Sequence, residues 1–214
     1  MRSRSFVVSV IALSTILLTS THALAQATTT FGVQGGINVA NVSFSGGDTG
    51  EVAPDFTSKT RAVFGGFVAR DFNSKAGLQV DFLYSQKGTK ATATDGIDTF
   101  VFEATVDYIE IPVLIRGNIP GSGAVKARVF GGPSFAFKVT DDSRTSFNGI
   151  EVEDEDTEIK GNDFGLVIGG AVQFGQFFVD ARYNWGLVNI LKDATDNEEV
   201  KTRTFGIMVG FQFK

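Results

Sequence analysis

The run at 204–213 alternates strictly between two kinds of side chain. Phe205, Ile207, Val209, Phe211 and Phe213 fall on one side, and Thr204, Gly206, Met208, Gly210 and Gln212 on the other. Successive side chains of an extended chain point to opposite faces, whereas a helix repeats every 3.6 residues. The segment is therefore a strand with one greasy face and one small or polar face. The same period recurs along the chain and predicts eight strands, over 31–44, 61–71, 76–87, 100–116, 125–139, 163–174, 177–187 and 201–213. Most reach the ~9–11 residues that a tilted strand needs to cross a bilayer, against ~5–6 in ordinary soluble sheets.

The connections between these strands alternate in length. Those over 45–60, 88–99, 140–162 and 188–200 are long, while 72–75, 117–124 and 175–176 are short. Barrels of the bacterial outer membrane carry tight turns at one end and long loops at the other. The amino-terminal residues agree with export. Arg2 and Arg4 precede a mostly apolar stretch over 6–18, and Ala23-Leu24-Ala25 has the small-x-small form of a cleavage site. The expected division is a signal peptide over 1–25 and one barrel domain over 26–214.

Without Arg2, Arg4 and His22, the 19 basic residues become 17 against 24 acidic ones, a formal charge of −7 with neither histidine nor cysteine. An acidic chain lacking clustered Lys and Arg is a poor nucleic-acid binder, so no nucleic-acid partner is expected. Disulfides and thiolate metal sites are excluded. A serine hydrolase with a histidine base is excluded too. Gly at 25 and Phe at 21 with Pro at only 4 favour strands and turns.

The two faces differ as a barrel in lipid requires. In the third strand Leu78, Val80, Phe82 and Tyr84 alternate with Gln79, Asp81, Leu83 and Ser85. In the seventh, Val179, Ala181, Tyr183 and Trp185 alternate with Asp180, Arg182 and Asn184, and in the fifth Val125, Ala127 and Val129 oppose Lys126 and Arg128. A soluble barrel would turn the apolar set inward, and periodicity alone does not say which face is inside. The export signal and the loop asymmetry select apolar-out. Tyr183 and Trp185 then suit the aromatic girdle at a membrane interface, the other reading being ordinary core aromatics. Pro112 and Pro133 each remove a ladder hydrogen bond, which predicts bulges or bends nearby. The fourth strand has two phases: Phe100, Phe102 and Val106 share one parity, while Ile109, Ile111, Val113 and Ile115 share the other. Either a bulge near Asp107–Tyr108 or an upper half projecting beyond the bilayer would account for this.

Several segments in order resemble the PorT-like bacterial outer-membrane β-barrel family. They are Gly35-Gly36-Ile37-Asn38, Leu83-Tyr84-Ser85-Gln86-Lys87-Gly88, Tyr108-Ile109-Glu110-Ile111-Pro112-Val113-Leu114-Ile115, Phe130-Gly131-Gly132-Pro133, Asp163-Phe164-Gly165-Leu166, Arg182-Tyr183-Asn184-Trp185-Gly186-Leu187 and the closing strand. The resemblance implies an all-β fold, an eight-stranded antiparallel up-and-down transmembrane β-barrel of OmpX/OmpA-like architecture in the outer membrane. It implies little about activity, because a fold does not fix a function. Gly206, Val209, Phe211 and Phe213 resemble the terminal signal read by the barrel-assembly machinery, with Lys214 departing from the common aromatic ending.

The inward set includes Asp81, Glu110, Arg116, Lys126, Arg128, Asp180 and Arg182. Eight strands enclose only enough room for side chains, and charges there must be paired. The expectation is a structural salt-bridge network plugging the lumen, weighed against a narrow ion path or a carboxylate pair for acid–base work. The acidic loop over 140–162 could hold Ca²⁺, but Glu153–Asp156 lacks the glycine and ligand spacing of an EF-hand, so a hydrated surface loop is the reading. Gly131-Gly132 and Gly169-Gly170 lie within strands, which points to close packing rather than phosphate cradles. No enzymatic activity, cofactor or metal is expected. The expected role is structural or interaction-based in a monomer, with outer-membrane lipid and the assembly machinery as partners and an extracellular partner at loop 140–162. A small channel or transport and secretion accessory, a membrane-embedded lipid-modifying enzyme, and a soluble periplasmic barrel binding an apolar ligand are the alternatives.

Overall fold

The computed structural model describes residues 27–45, 55–95, 98–119, 124–152, 161–188 and 199–213. The expected signal peptide and the acidic run 153–160 lie outside these residues. The strands are β1 (Thr28–Ser45), β2 (Asp55–Asp71), β3 (Ala76–Asp95), β4 (Asp98–Ile119), β5 (Val125–Phe147), β6 (Ile150–Val152), β7 (Asn162–Phe174), β8 (Phe177–Gly186) and β9 (Glu199–Phe213). Every pairing is antiparallel, in the order β4-β3-β2-β1-β9-β8-β7-β5, and β4–β5 pairing closes the ring. Eight strands form the barrel, and β6 adds only a short flap on β5. The chain's last strand seals the first: Phe31 lies opposite Phe213, and Ile37 opposite Ile207. Closure leaves no free edge around the ring.

The apolar faces point out. Ile115 is 69% exposed and Val209 61%, and Val33, Ile37, Phe64, Phe82, Ile168 and Val179 are likewise exposed. A water-soluble monomer does not carry so continuous an apolar surface. Aromatic rings gather at both edges of this band. Toward the turn end Phe211 meets Phe177 and Phe213 with ring centres 5.1 Å apart. Toward the other end lie Tyr183–Trp185 at 4.5 Å, Phe64–Tyr84 at 5.2 Å and Phe135–Phe164 at 5.2 Å.

The turn end is built locally. Asn73 Oδ1 accepts from the amides of Lys75 (2.8 Å) and Ala76 (2.9 Å), an Asx turn that reverses the chain between β2 and β3. The opposite end is taller than the sequence suggests. The expected connection over 88–99 is mostly ladder, with β3 running to Asp95 and β4 starting at Asp98. β5 likewise runs on to Phe147, and Asn148-Gly149, both at positive φ, make the two-residue hairpin turn into β6. Threonine recurs through these extensions, at 89, 92, 94, 99, 140 and 145, and this β-branched residue pairs readily in strands.

The two phases of β4 now have a physical cause. Its parity never changes: Ala104, Val106, Tyr108, Glu110, Leu114 and Arg116 are all buried, on one face. What changes is the surrounding medium. Below Ile109 the outer face is apolar, whereas above it Asp107, Thr105 and Glu103 face outward. The upper half therefore projects past the apolar band. A bulge is also present, on β5 rather than β4: Asp107 faces Thr140 while Tyr108 faces Lys138, leaving Val139 as the extra residue.

Candidate functional site

The lumen is filled in layers by polar side chains interleaved with apolar ones such as Leu83, Leu114, Met208 and Phe67. At mid-height Arg182 from β8 donates two hydrogen bonds to Asp180, from Nε to Oδ1 (2.9 Å) and from Nη2 to Oδ2 (2.8 Å). Its Nη1 crosses the lumen to Asp81 Oδ2 on β3 at 2.8 Å, and Gln79 Nε2 donates to the other Asp81 oxygen at 2.6 Å. Asp81, Asp180 and Arg182 are all buried. A planar guanidinium with five donors in a fixed fork satisfies two carboxylates at once, which a point-charge ammonium does less well.

Phenylalanines support this layer from below. The Arg182 guanidinium lies 5.3 Å from the centre of the Phe130 ring, and that of Arg128 5.3 Å from Phe178. The rings fit only because inward glycines face them. A Cβ on Gly169 would sit 2.6 Å from Phe130 ring atoms, and one on Gly210 only 2.2 Å from Phe178. Gly169, within the pair read above as close packing, is thus a socket for an aromatic ring.

Above the Arg182 layer Lys87 Nζ lies 2.5 Å from Glu110 and 4.0 Å from Asp163, and 5.1 Å from the Tyr108 ring centre. Thr202 Oγ1 donates to Asp163 at 2.8 Å. Asn38 Nδ2 donates to Ser85 Oγ at 2.8 Å. The void beside Asn38, Glu110, Arg182 and Met208 measures about 20 Å³, room for about one water.

Below, at the turn end, Arg128 Nη2 donates to Gln173 (2.9 Å) and reaches Gln212 (3.4 Å). Arg116 Nη2 stands 3.8 Å from Asp71 Oδ1. Of the inward charges anticipated from sequence, Asp81, Glu110, Arg116, Arg128, Asp180 and Arg182 are buried in the lumen. Lys126 requires a correction. It shares their face of β5 but sits one step nearer the strand's start, at the open rim, where its side chain is exposed. Lys87, Asp163 and Asp71 belong to the lumen set and were not anticipated, although Lys87 shares the parity of Asp81 and Ser85 along β3.

A second polar array lies outside the projecting sheet. Glu103 receives Lys59 in a close ion pair and Lys90 at 3.4 Å, and Arg61 Nη2 donates to Thr105 Oγ1 at 2.9 Å. The hydrogen bond from Lys59 holds the Glu103 carboxyl below its ordinary value, outweighing slight desolvation. Tyr84 and Gln86 both donate to Asp107 just above the apolar band. Arg144 stands 3.7 Å from Asp142 and 4.0 Å from Glu151. Among the described residues no group of three or more His, Cys, Asp or Glu side chains is arranged to hold a metal ion.

Chemically, the interior carboxylates face cations or amide donors at short range, an arrangement suited to sealing a pore. Residues 24–192 match the family described as outer membrane protein beta-barrel domain. The chain is similar to the solved structure of the outer membrane protein OprG from Pseudomonas aeruginosa, at 11% identity over 90% of this chain and 99% of that one, with a TM-score of 0.48. It is similar to Neisserial surface protein A at 13% identity, 86% and 97% coverage and a TM-score of 0.42. For Ail, the attachment invasion locus protein of Yersinia pestis, the values are 15%, 86%, 98% and 0.35. No curated protein matches the chain.

Proposed function

From the premise that the chain belongs to the outer membrane protein beta-barrel domain family, and so resides in the bacterial outer membrane, we propose that it is a non-enzymatic, sealed barrel that presents a projecting β-sheet lobe to an extracellular partner. Within the family the ordered segments from Gly35 to Leu187 favour a PorT-like member. The observation that carries the reading is the contrast between lumen and lobe. The lumen is closed by Arg182 bridging Asp180 and Asp81. The lobe of β2–β5 rises past the apolar band and turns Lys59, Lys90, Glu103 and Arg144 to the outside. Tyr183 and Trp185 serve as interface aromatics, and the closing strand as the segment that the assembly machinery engages.

Two measurements test it. Planar-bilayer recordings of the purified protein are expected to show no large steady conductance, and a wide open pore would overturn the seal. Crosslinking on intact cells is expected to capture a partner that is lost on removing residues 140–161. That deletion spares the last β5–β7 pair, Phe137 with Asn162, so the ring can still close. A partner captured equally well without this β5–β6 part of the lobe would overturn its role in display.

A further inference from the structure

At the turn end the described residues leave the bore open at its surface. Below the Arg182 layer it opens into a blind vestibule of about 480 Å³, walled by inward side chains of β1, β2, β4, β5, β7 and β9. Among the described residues its charges do not balance, since Arg116, Lys126 and Arg128 face it against one carboxylate, Asp71. That carboxylate is already engaged, accepting from Asn118 Nδ2 at 3.2 Å and standing 3.8 Å from Arg116 Nη2.

Arg116 is the telling group. Its side chain is only 4% exposed. Yet its Nε and Nη1 have no hydrogen-bond partner among the described residues. Arg128 is no better supplied with charge, because its Nη2 contacts are the neutral amides of Gln173 and Gln212. A buried guanidinium whose donors are left unmatched is costly, whereas the mid-height layer shows the same residue type fully matched by two carboxylates. The guanidinium fork fits the oxygens of a phosphate or carboxylate bidentately, and charge-assisted bonds of this kind are the strong ones. The remaining walls are mainly hydroxyls and amides, including Thr30, Asn73 and Ser74, so they suit a hydrated anion rather than a greasy ligand.

We propose that this vestibule is an oxyanion site, in which Arg116 and Arg128 grip a phosphate or carboxylate group and Lys126 draws it in from the rim. Tight turns of such barrels face the periplasm, so the anion arrives from that side, either free in solution or as the headgroup of an inner-leaflet phospholipid. The site stands on its own residues and does not depend on the display role of the lobe.

The test uses the full barrel in a non-ionic sugar detergent, titrated with inorganic phosphate, with acetate and with chloride as the ionic-strength control. Phosphate or acetate is expected to shift the Arg116 Nε–H resonance saturably, and chloride is not. Lys126→Gln, exposed and harmless to the plug, is expected to weaken the affinity about tenfold, the loss of roughly one charge-assisted contact. Arg116→Gln, followed through the Arg128 Nε–H resonance, is expected to lose the saturable response, and Asp71→Asn to tighten binding. In nanodiscs without added phosphate, the same resonance shift with phosphatidylglycerol but not with phosphatidylcholine identifies the anionic headgroup as the ligand. A shift that appears only on adding free phosphate identifies a soluble anion. Absence of a saturable response, an equal response to chloride, or unchanged affinity in Lys126→Gln would each overturn the proposal.

Discussion

Arg182 holds together groups more than a hundred positions apart in sequence, and its removal leaves Asp81 and Asp180 buried without a cation. Breaking one partner of a buried ion pair typically costs ~3–5 kcal/mol, far more than a surface pair contributes. Arg182→Ala is therefore expected to lower resistance to urea unfolding from lipid by roughly that amount. Because Gln79, Phe130 and the neighbouring layers still fill the bore, no large conductance should accompany it. A variant as stable as the parent would remove the mid-height network from the stabilising interactions. Gly169 offers a second residue-scale test. An added Cβ would meet both the Phe130 ring and the Ala181 carbonyl oxygen at 2.6 Å. Gly169→Ala is expected to destabilise by roughly 1–3 kcal/mol through overpacking, and Phe130→Leu in the same chain to recover part of the loss, as seen by thermal gel migration.

At the scale of elements, alternation made the strands readable because it is a local property of the chain. Parity put Asp81, Asp180 and Arg182 on the polar face, and the export signal and loop lengths turned that face inward. Their grouping with Lys87, Asp163 and Asp71 could not, since which residues share a level depends on how far each strand is staggered against the next. The heights of β3 and β5 were similarly hidden, whereas the two phases of β4 already allowed an upper half beyond the bilayer. Polar positions in 88–99 look like loop to a reader expecting an apolar outer face, yet above the band the outer face meets water and the same polarity is compatible with a ladder. The bulge at Val139 needs the partner register and leaves no signature of its own. The lobe carries a pH prediction. Glu103 has a folded pKa below its ordinary 4.5, so its ion pair with Lys59 and Lys90 stabilises the lobe fully above that value and is lost as pH falls through the lower folded value. Hydrogen exchange of the amides of 101–105 is expected to quicken, relative to its intrinsic rate, below about pH 4.5. Glu103→Gln should remove that dependence, and an unchanged profile in this variant would assign the effect to another group.

At the scale of the whole molecule, the question is where the barrel sits in the bilayer, and the chain supplies its own probe. Trp185 is the only tryptophan. It is half-buried on the outer face near the end of β8, against Tyr183, and lies opposite Arg203 of β9. From Phe177 to Trp185 the outer face of β8 also carries Val179, Ala181 and Tyr183, and at ~3.4 Å per residue with a tilt near 40° this covers about 21 Å of the ~25 Å apolar band of such barrels. Phe177, Phe211 and Phe213 then mark one interface, and Tyr84, Phe164, Tyr183 and Trp185 the other. Indole favours the headgroup level, where its ring is in lipid and its N–H in contact with water. In liposomes of lipids brominated at different depths, Trp185 emission is expected to be quenched most by the shallowest label and least by the one near the chain ends. If the deepest label quenched best, the lobe would be drawn down by several residues, burying Asp107 and Glu103 in hydrocarbon at prohibitive cost. Shallow quenching instead leaves Glu103, Lys59, Lys90 and Arg144 in water, where an extracellular partner can reach them.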